Sequence, residues 1–147
     1  MKYAYLLVLT MLAPFAILAQ ESPVEWSFFS EKTGTDEYTI TYSADVRPGW
    51  YIYSQYTELG GPIPTTFYVD DNTDLELVGK TLEEGKKKEG MDDLFGINVI
   101  KFSGLVLFRQ QVKAKAGATV SGALEFMACD NEQCLPPKEV DFEITLE

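Results

Sequence analysis

Two cysteines are the only thiols in this chain, and they stand close together. Cys129 and Cys134 are separated by Asp130-Asn131-Glu132-Gln133 and followed by Leu135-Pro136-Pro137. The segment reads as a strand, a tight polar loop and another strand. Thiol–disulfide exchange needs one sulfur that an incoming thiolate can reach in line and a second close enough to resolve the mixed disulfide. A short hairpin loop provides both. Pro136 and Pro137 lack a backbone N–H and stiffen the exit, discouraging extension of the ladder there. Asp130 and Glu132 are anionic neighbours, which raise a thiol pKa. A strongly activated free thiolate is therefore not expected, and reactivity is expected to be switched on in a complex with a partner.

Two other chemistries compete for the same cysteines. A structural staple is the usual fate of two cysteines in an exported chain. Loop length argues against it: chain entropy gives roughly 2 kcal/mol for so short a loop, against more than about 4 for strands some sixty residues apart. Such a bond also closes a hairpin that strand pairing already closes. On this alternative the protein is a non-catalytic binding module, and its signature is an exposed aromatic patch at Trp50 to Tyr53 with buried sulfurs. The other alternative is a site for a soft ion such as Cu(I) at Cys129, Cys134 and Met127, because strand alternation sends Met127 and Cys129 to one face.

Composition removes several further classes. There is no histidine, so histidine acid–base catalysis, histidine-dependent triads and most zinc or copper sites have no raw material. Two cysteines alone cannot complete a structural zinc site. No cofactor and no resident metal are expected. The net charge of −11 argues against nucleic acid or an anionic membrane surface as partner.

The elements that must position the cysteines are strands. Lys2, an apolar run from Tyr3 to Leu18 and the polarity change after Ala19 describe a secretory signal peptide over residues 1–19. The run is too short, and too broken by Pro14, to span a bilayer, so no membrane span is expected after cleavage. Residues 20–147 suit one domain. Val24 to Phe28 and Glu37 to Val46 alternate apolar and polar with period two. Arg47-Pro48-Gly49 makes a turn before the aromatic strand Trp50 to Tyr53, and Gly60-Gly61-Pro62-Ile63-Pro64 breaks the chain. Thr65 to Val69 and Leu75 to Val78 are short β-prone stretches. Gly79 to Gly96 is charged and lacks an apolar stripe, and a solvated loop is expected there. Alternation returns in Asn98 to Phe102, Leu105 to Val112, Thr119 to Ala128 and Lys138 to Leu146. About eight short strands at regular spacing, with no convincing helix, predict an all-β, two-sheet antiparallel β-sandwich.

Cys129 to Val140, with Gly49-Trp50-Tyr51-Ile52-Tyr53 and Asp92-Asp93-Leu94-Phe95-Gly96, resembles the N-terminal periplasmic domain of the thiol:disulfide interchange protein DsbD, over about Val24 to Leu146. The Cys-loop-Cys-x-Pro-Pro element is the most specific part. The resemblance implies an immunoglobulin-like sandwich in the periplasm that relays electrons without a cofactor. The family's domain is reduced by a thioredoxin-like domain and in turn reduces periplasmic disulfide isomerases and cytochrome c maturation thioredoxins. Cys134 matches the cysteine that attacks or accepts the partner disulfide, and Cys129 the resolving one. Asp92, Asp93, Leu94, Phe95 and Gly96 match a cap loop whose aromatic residue shields the disulfide. A gapless match puts Leu94 at the shielding position with Phe95 beside it. Tyr51 and Tyr53 match tyrosines that line the active site. Two departures stand out. The best-known members put five residues between the cysteines and this chain has four. The chain also ends at Glu147 without the transmembrane and thioredoxin-like domains, so the electron donor is expected on a separate chain.

Overall fold

The structure, a computed structural model, describes residues 21–147. The expected signal peptide at 1–19 lies outside them. The strands are β1 (Val24–Gly34), β2 (Glu37–Val46), β3 (Tyr51–Tyr53), β4 (Thr66–Val69), β5 (Leu75–Asp92), β6 (Ile97–Ala114), β7 (Thr119–Phe126), β8 (Ala128–Cys129) and β9 (Lys138–Thr145). Among the described residues there is no helix, and so none long and apolar enough to cross a membrane. Two antiparallel sheets result, forming the expected immunoglobulin-like sandwich. The larger runs β1-β2-β6-β3-β8 with β5 on the other side of β6, and the smaller runs β4-β7-β9.

The inward faces of the two sheets meet in an aromatic core. Tyr42 of β2 packs on Phe67 of β4 with ring centroids 4.4 Å apart and meets Phe142 of β9 edge-on at 5.0 Å. Phe108 of β6 reaches the same Phe67 at 5.2 Å. Burying large side chains at alternate strand positions is what drives the two sheets together. On β6 the even-numbered positions Val106, Phe108, Val112 and Ala114 are buried.

β6 is the strand around which the larger sheet is arranged. Its one side pairs with β2 from Gly104 to Lys113 and then with β3 at Lys101 and Phe102. The change of neighbour follows from two local signals. Arg47-Pro48-Gly49-Trp50 is a turn in which Trp50 N donates to Arg47 O at 3.0 Å and Gly49 takes φ 88°, a backbone that suits glycine after proline. It ends β2 and starts β3. Opposite, the β5 register skips between Gly85 and Lys86, and Gly104 takes φ 67°. This bulge bends β6 without interrupting it, so the two short strands expected at Asn98 to Phe102 and Leu105 to Val112 are one.

The expected solvated loop at Gly79 to Gly96 is a strand as far as Asp92, continuous with the stretch from Leu75. It pairs with β6 along nearly its whole length. An apolar stripe is absent because β5 is a solvated sheet edge, held by its backbone ladder. Exposed Lys86, Lys87 and Lys88 are the charges that keep such an edge from pairing with other chains. Only Asp93 to Gly96 remain as the turn of the β5–β6 hairpin.

Candidate functional site

The chain changes sheets just before the cysteines. β7 pairs with β9 in the smaller sheet as far as Phe126 and Lys138. After Met127, β8 joins the larger sheet, placing Cys129 opposite Tyr51 and Ala128 opposite Ile52. The β7–β9 ladder therefore stops short of the cysteines, and the expected hairpin loop is closed by a separate piece of antiparallel pairing. Cys129 and Cys134 form an isolated antiparallel bridge, flanked by Leu135 N donating to Ala128 O and Asp130 N donating to Gln133 O, both at 2.9 Å. That makes them a non-hydrogen-bonded pair, the arrangement that brings opposed side chains closest. Their Cα atoms are 4.0 Å apart and their sulfurs are joined.

Asp130 fixes the turn between them. Its Oδ1 accepts from Glu132 N and Gln133 N, each at 2.8 Å. Those two backbone N–H groups hold its carboxyl below the usual carboxylate range. From across the sheet, the Tyr51 hydroxyl donates to Asp130 O at 2.6 Å. The two sulfurs end in different surroundings: Cys129 is completely buried, whereas Cys134 is partly exposed.

Buried Cys129 belongs to a second apolar cluster, separate from the sandwich core. Tyr51, Tyr53, Val99 and Cys129 form its centre, and Phe95, Ile97, Met127 and Cys134 pack against it. Strand alternation explains the separation. Ile52, Phe102 and Ala128 point into the sandwich, so their neighbours Tyr51, Tyr53 and Cys129 point out of it. Tyr51 and Tyr53 are both buried, and the exposed aromatic patch that would mark a binding module is not present at these positions. The Tyr53 hydroxyl has no hydrogen-bond partner. Burial first, then the Asp92 carboxylate, holds its pKa well above that of an ordinary phenol.

The β5–β6 turn covers this cluster. Phe95 stands edge-on to Tyr53, ring centroids 6.2 Å apart, while Leu94 is 43% exposed. Phe95, and not Leu94, is the residue packed toward the cysteines. Asp92 shapes the turn: its Oδ1 accepts from Leu94 N at 3.0 Å and its carbonyl accepts from Gly96 N at 2.7 Å. Asp93 and Gly96 are exposed. Behind the turn, Gly61 of the β3–β4 loop lies so close to Ile97 that an added Cβ would stand 2.4 Å from its Cδ1.

Sequence reasoning missed Lys101. It follows Ile97 and Val99 at period two and so faces the same cluster. Its Nζ donates to Asp92 Oδ2 at 3.1 Å and sits 3.9 Å from the centre of the Tyr51 ring. The signal was a cation that continues, at period two, the apolar pair Ile97 and Val99.

Among the described residues no group of three or more Cys, Asp or Glu side chains is placed to hold a metal ion. Met127 does share the cluster with both cysteines, but their sulfurs are bonded to each other and offer no thiolate. A groove of about 140 Å³ borders the C-terminal side of the disulfide, lined by Pro23, Phe126, Ala128, Leu135, Pro136 and Lys138 among others. A larger open groove of about 510 Å³ lies on the smaller sheet around Tyr68, Ser121 and Phe142. None of the cysteine cluster lines it.

Residues 17–146 match the family described as the N-terminal domain of the thiol:disulfide interchange protein DsbD. No curated protein matches the chain as a whole-sequence relative. Among solved structures, the N-terminal periplasmic domain of ScsB from Proteus mirabilis is similar, with a TM-score of 0.64 and 17% identity over 94% of this chain. The match spans 49% of that chain, about half its length. The reduced DsbD N-terminal domain of Neisseria meningitidis gives a TM-score of 0.53 at 19% identity, covering 80% of this chain and 84% of that one. A complex between the DsbD N-terminal and PilB N-terminal domains of the same organism gives 0.52 at 16% identity, covering 87% of each chain. At these identities the likeness is one of fold.

Proposed function

The chain belongs to the family of DsbD N-terminal domains, and from that premise we propose that its thiol–disulfide exchange module relays electrons between two partner proteins in the periplasm. The observation that carries this reading is the inequality of the two sulfurs. Cys134 is partly exposed while Cys129 is completely buried, so once the cap is displaced an incoming thiolate meets Cys134 first, which is the division of labour exchange requires.

The reaction is a two-electron, two-proton cycle. A donor thiolate attacks Cys134 Sγ, the bond between the sulfurs breaks, and Cys129 leaves as a thiolate that takes up a proton. The donor's second thiol then attacks its own sulfur in the mixed disulfide. It releases Cys134 reduced and leaves the donor oxidised. In the second half Cys134 attacks an acceptor disulfide, and Cys129 resolves the mixed disulfide to release the acceptor as a dithiol. Catalysis comes mainly from holding the sulfurs in line and keeping other thiols away.

The remaining assignments belong to the same proposal. Phe95, carried by the Asp92–Gly96 cap loop, shields the disulfide until a partner displaces it. Tyr51 and Tyr53 form the floor of the site. Residues 1–19 are the signal peptide and 20–147 the exported domain. The donor is a thioredoxin-like protein on a separate chain, and the acceptor a periplasmic disulfide isomerase or a cytochrome c maturation thioredoxin. Support for a separate partner comes from the Neisseria domain, which was solved in complex with another protein's N-terminal domain.

The test is the reduction potential of the Cys129–Cys134 pair in a glutathione or dithiothreitol redox buffer. A value between about −270 and −120 mV is expected for a relay. A bond more stable than about −300 mV, or one that yields only on unfolding, would instead mark a structural staple in a binding module.

A further inference from the structure

We infer that Lys101 is a positioning residue that keeps the cap loop shut and ties it to the cysteine loop. The inference builds on the exchange reading above. It concerns a residue that touches neither sulfur but links the two segments that do the work.

The link is a continuous set of contacts. At the cap end, Asp92 accepts from Leu94 N with Oδ1 at 3.0 Å and from Lys101 Nζ with Oδ2 at 3.1 Å. Both charged side chains are withdrawn from water, with Lys101 17% and Asp92 2% exposed. Lys101 then lies over the Tyr51 ring at 3.9 Å. Tyr51 donates to Asp130 O at 2.6 Å, and the Asp130 carboxylate holds the amides of Glu132 and Gln133, next to Cys134. The ammonium is therefore shared between an anion that shapes the cap turn and an aromatic face anchored to the cysteine turn.

Chemistry explains why a cation belongs here. Asp92 in this apolar setting would be an uncompensated buried charge without a partner. A nearly desolvated ammonium over an aromatic face gains more than an exposed one. Lys101 satisfies both groups at once. Asp92 is held in the ladder opposite Ile97, and Lys101 keeps its carboxylate where Leu94 N reaches it; lifting the turn breaks that bond, so the pair resists opening. A partner that displaces Phe95 must supply the contacts that offset this.

The experiment compares the wild-type chain with Lys101→Met and Lys101→Arg in two partner-free measurements. One is hydrogen exchange at the Leu94 and Gly96 amides. The other is the rate at which dithiothreitol reduces the disulfide, its two thiols becoming an intramolecular disulfide as Cys129 and Cys134 are reduced. Lys101→Met is expected to expose the cap amides selectively and to raise the reduction rate on the order of tenfold, the range of one desolvated cation–π contact. Lys101→Arg restores both. If removing one charge prevents folding, the double variant Asp92→Asn with Lys101→Met leaves no unpaired charge and keeps an oxygen for Leu94 N. It is expected to show the same opening. Wild-type exchange and reduction rates in Lys101→Met, or in the double variant, would overturn the inference. So would a loss of protection spread equally over the core amides of β6, which is the mark of a merely structural residue. Because neither measurement needs a partner protein, failure of the wild type to exchange with any thioredoxin-like protein would sink the relay and leave the latch untouched.

Discussion

Tyr51 stands opposite Cys129 in the sheet and sends its hydroxyl across to the carbonyl of Asp130, the residue that follows Cys129, at 2.6 Å. One side chain thus fixes the cysteine turn from outside the loop. Within the loop, Asp130 Oδ1 holds the amides of Glu132 and Gln133, but the β7–β9 ladder ends before it. How the turn is held against the larger sheet therefore depends on a residue nearly eighty positions away in sequence.

Tyr51→Phe removes that hydrogen bond and leaves the ring in place. A loss of about 1 kcal/mol is expected, the usual net worth of one such bond, with faster exchange at the Gln133 and Leu135 amides. Denaturant unfolding and amide exchange check it. Unchanged exchange in the turn would mean that Asp130 alone is enough.

Phe95 and Leu94 separate cleanly by position. Phe95→Ala is expected to speed reduction of the disulfide by dithiothreitol several-fold, because it uncovers the cluster around Cys129. Leu94→Ala, at an exposed site, is expected to leave that rate within error. The reverse order would reassign the shielding residue.

The turn is expected to loosen in acid. Asp130 has a folded-state pKa below its unfolded value because it accepts two backbone N–H bonds. Its contribution is present above the unfolded value of about 3.9 and is lost as pH falls through the lower folded value. Exchange-corrected protection of the Glu132 and Gln133 amides should fall below about pH 4 in the wild type. It should stay flat in Asp130→Asn, whose side-chain oxygen still accepts.

The smaller sheet depends on a glycine. A Cβ at Gly122 would lie 2.0 Å from Tyr68 O, on the strand that pairs with it. Backbone cannot move aside as a side-chain tip can. Gly122→Ala is expected to destabilise the fold by about 3 kcal/mol, the upper range for overpacking, while the potential of the cysteine pair stays unchanged. Thermal unfolding of the oxidised protein is the measurement.

Much of this protein was legible before any fold was known. Period-two alternation in Val24 to Phe28, Glu37 to Val46 and Lys138 to Leu146 marked strands, since each buries one face. Arg47-Pro48-Gly49 marked a turn, because only that backbone suits proline followed by glycine. Two cysteines without a histidine narrowed the chemistry to the sulfurs. The stretch from Gly79 to Asp92 was misread as a loop because an edge strand held by its ladder carries no apolar pattern to read.

What only the tertiary structure decided is which residues share a face and which atoms meet. Spacing could not show that the chain leaves one sheet at Phe126 and enters the other at Ala128, because sheet pairing is a non-local choice. That switch buries Cys129 and leaves Cys134 partly exposed. It could not choose Phe95 over Leu94, since a turn can present either neighbour until its dihedrals are set. Lys101 was one charge among many in the sequence. Packing against Asp92 and Tyr51 gave it a place, because the field a charge feels depends on its neighbours in space.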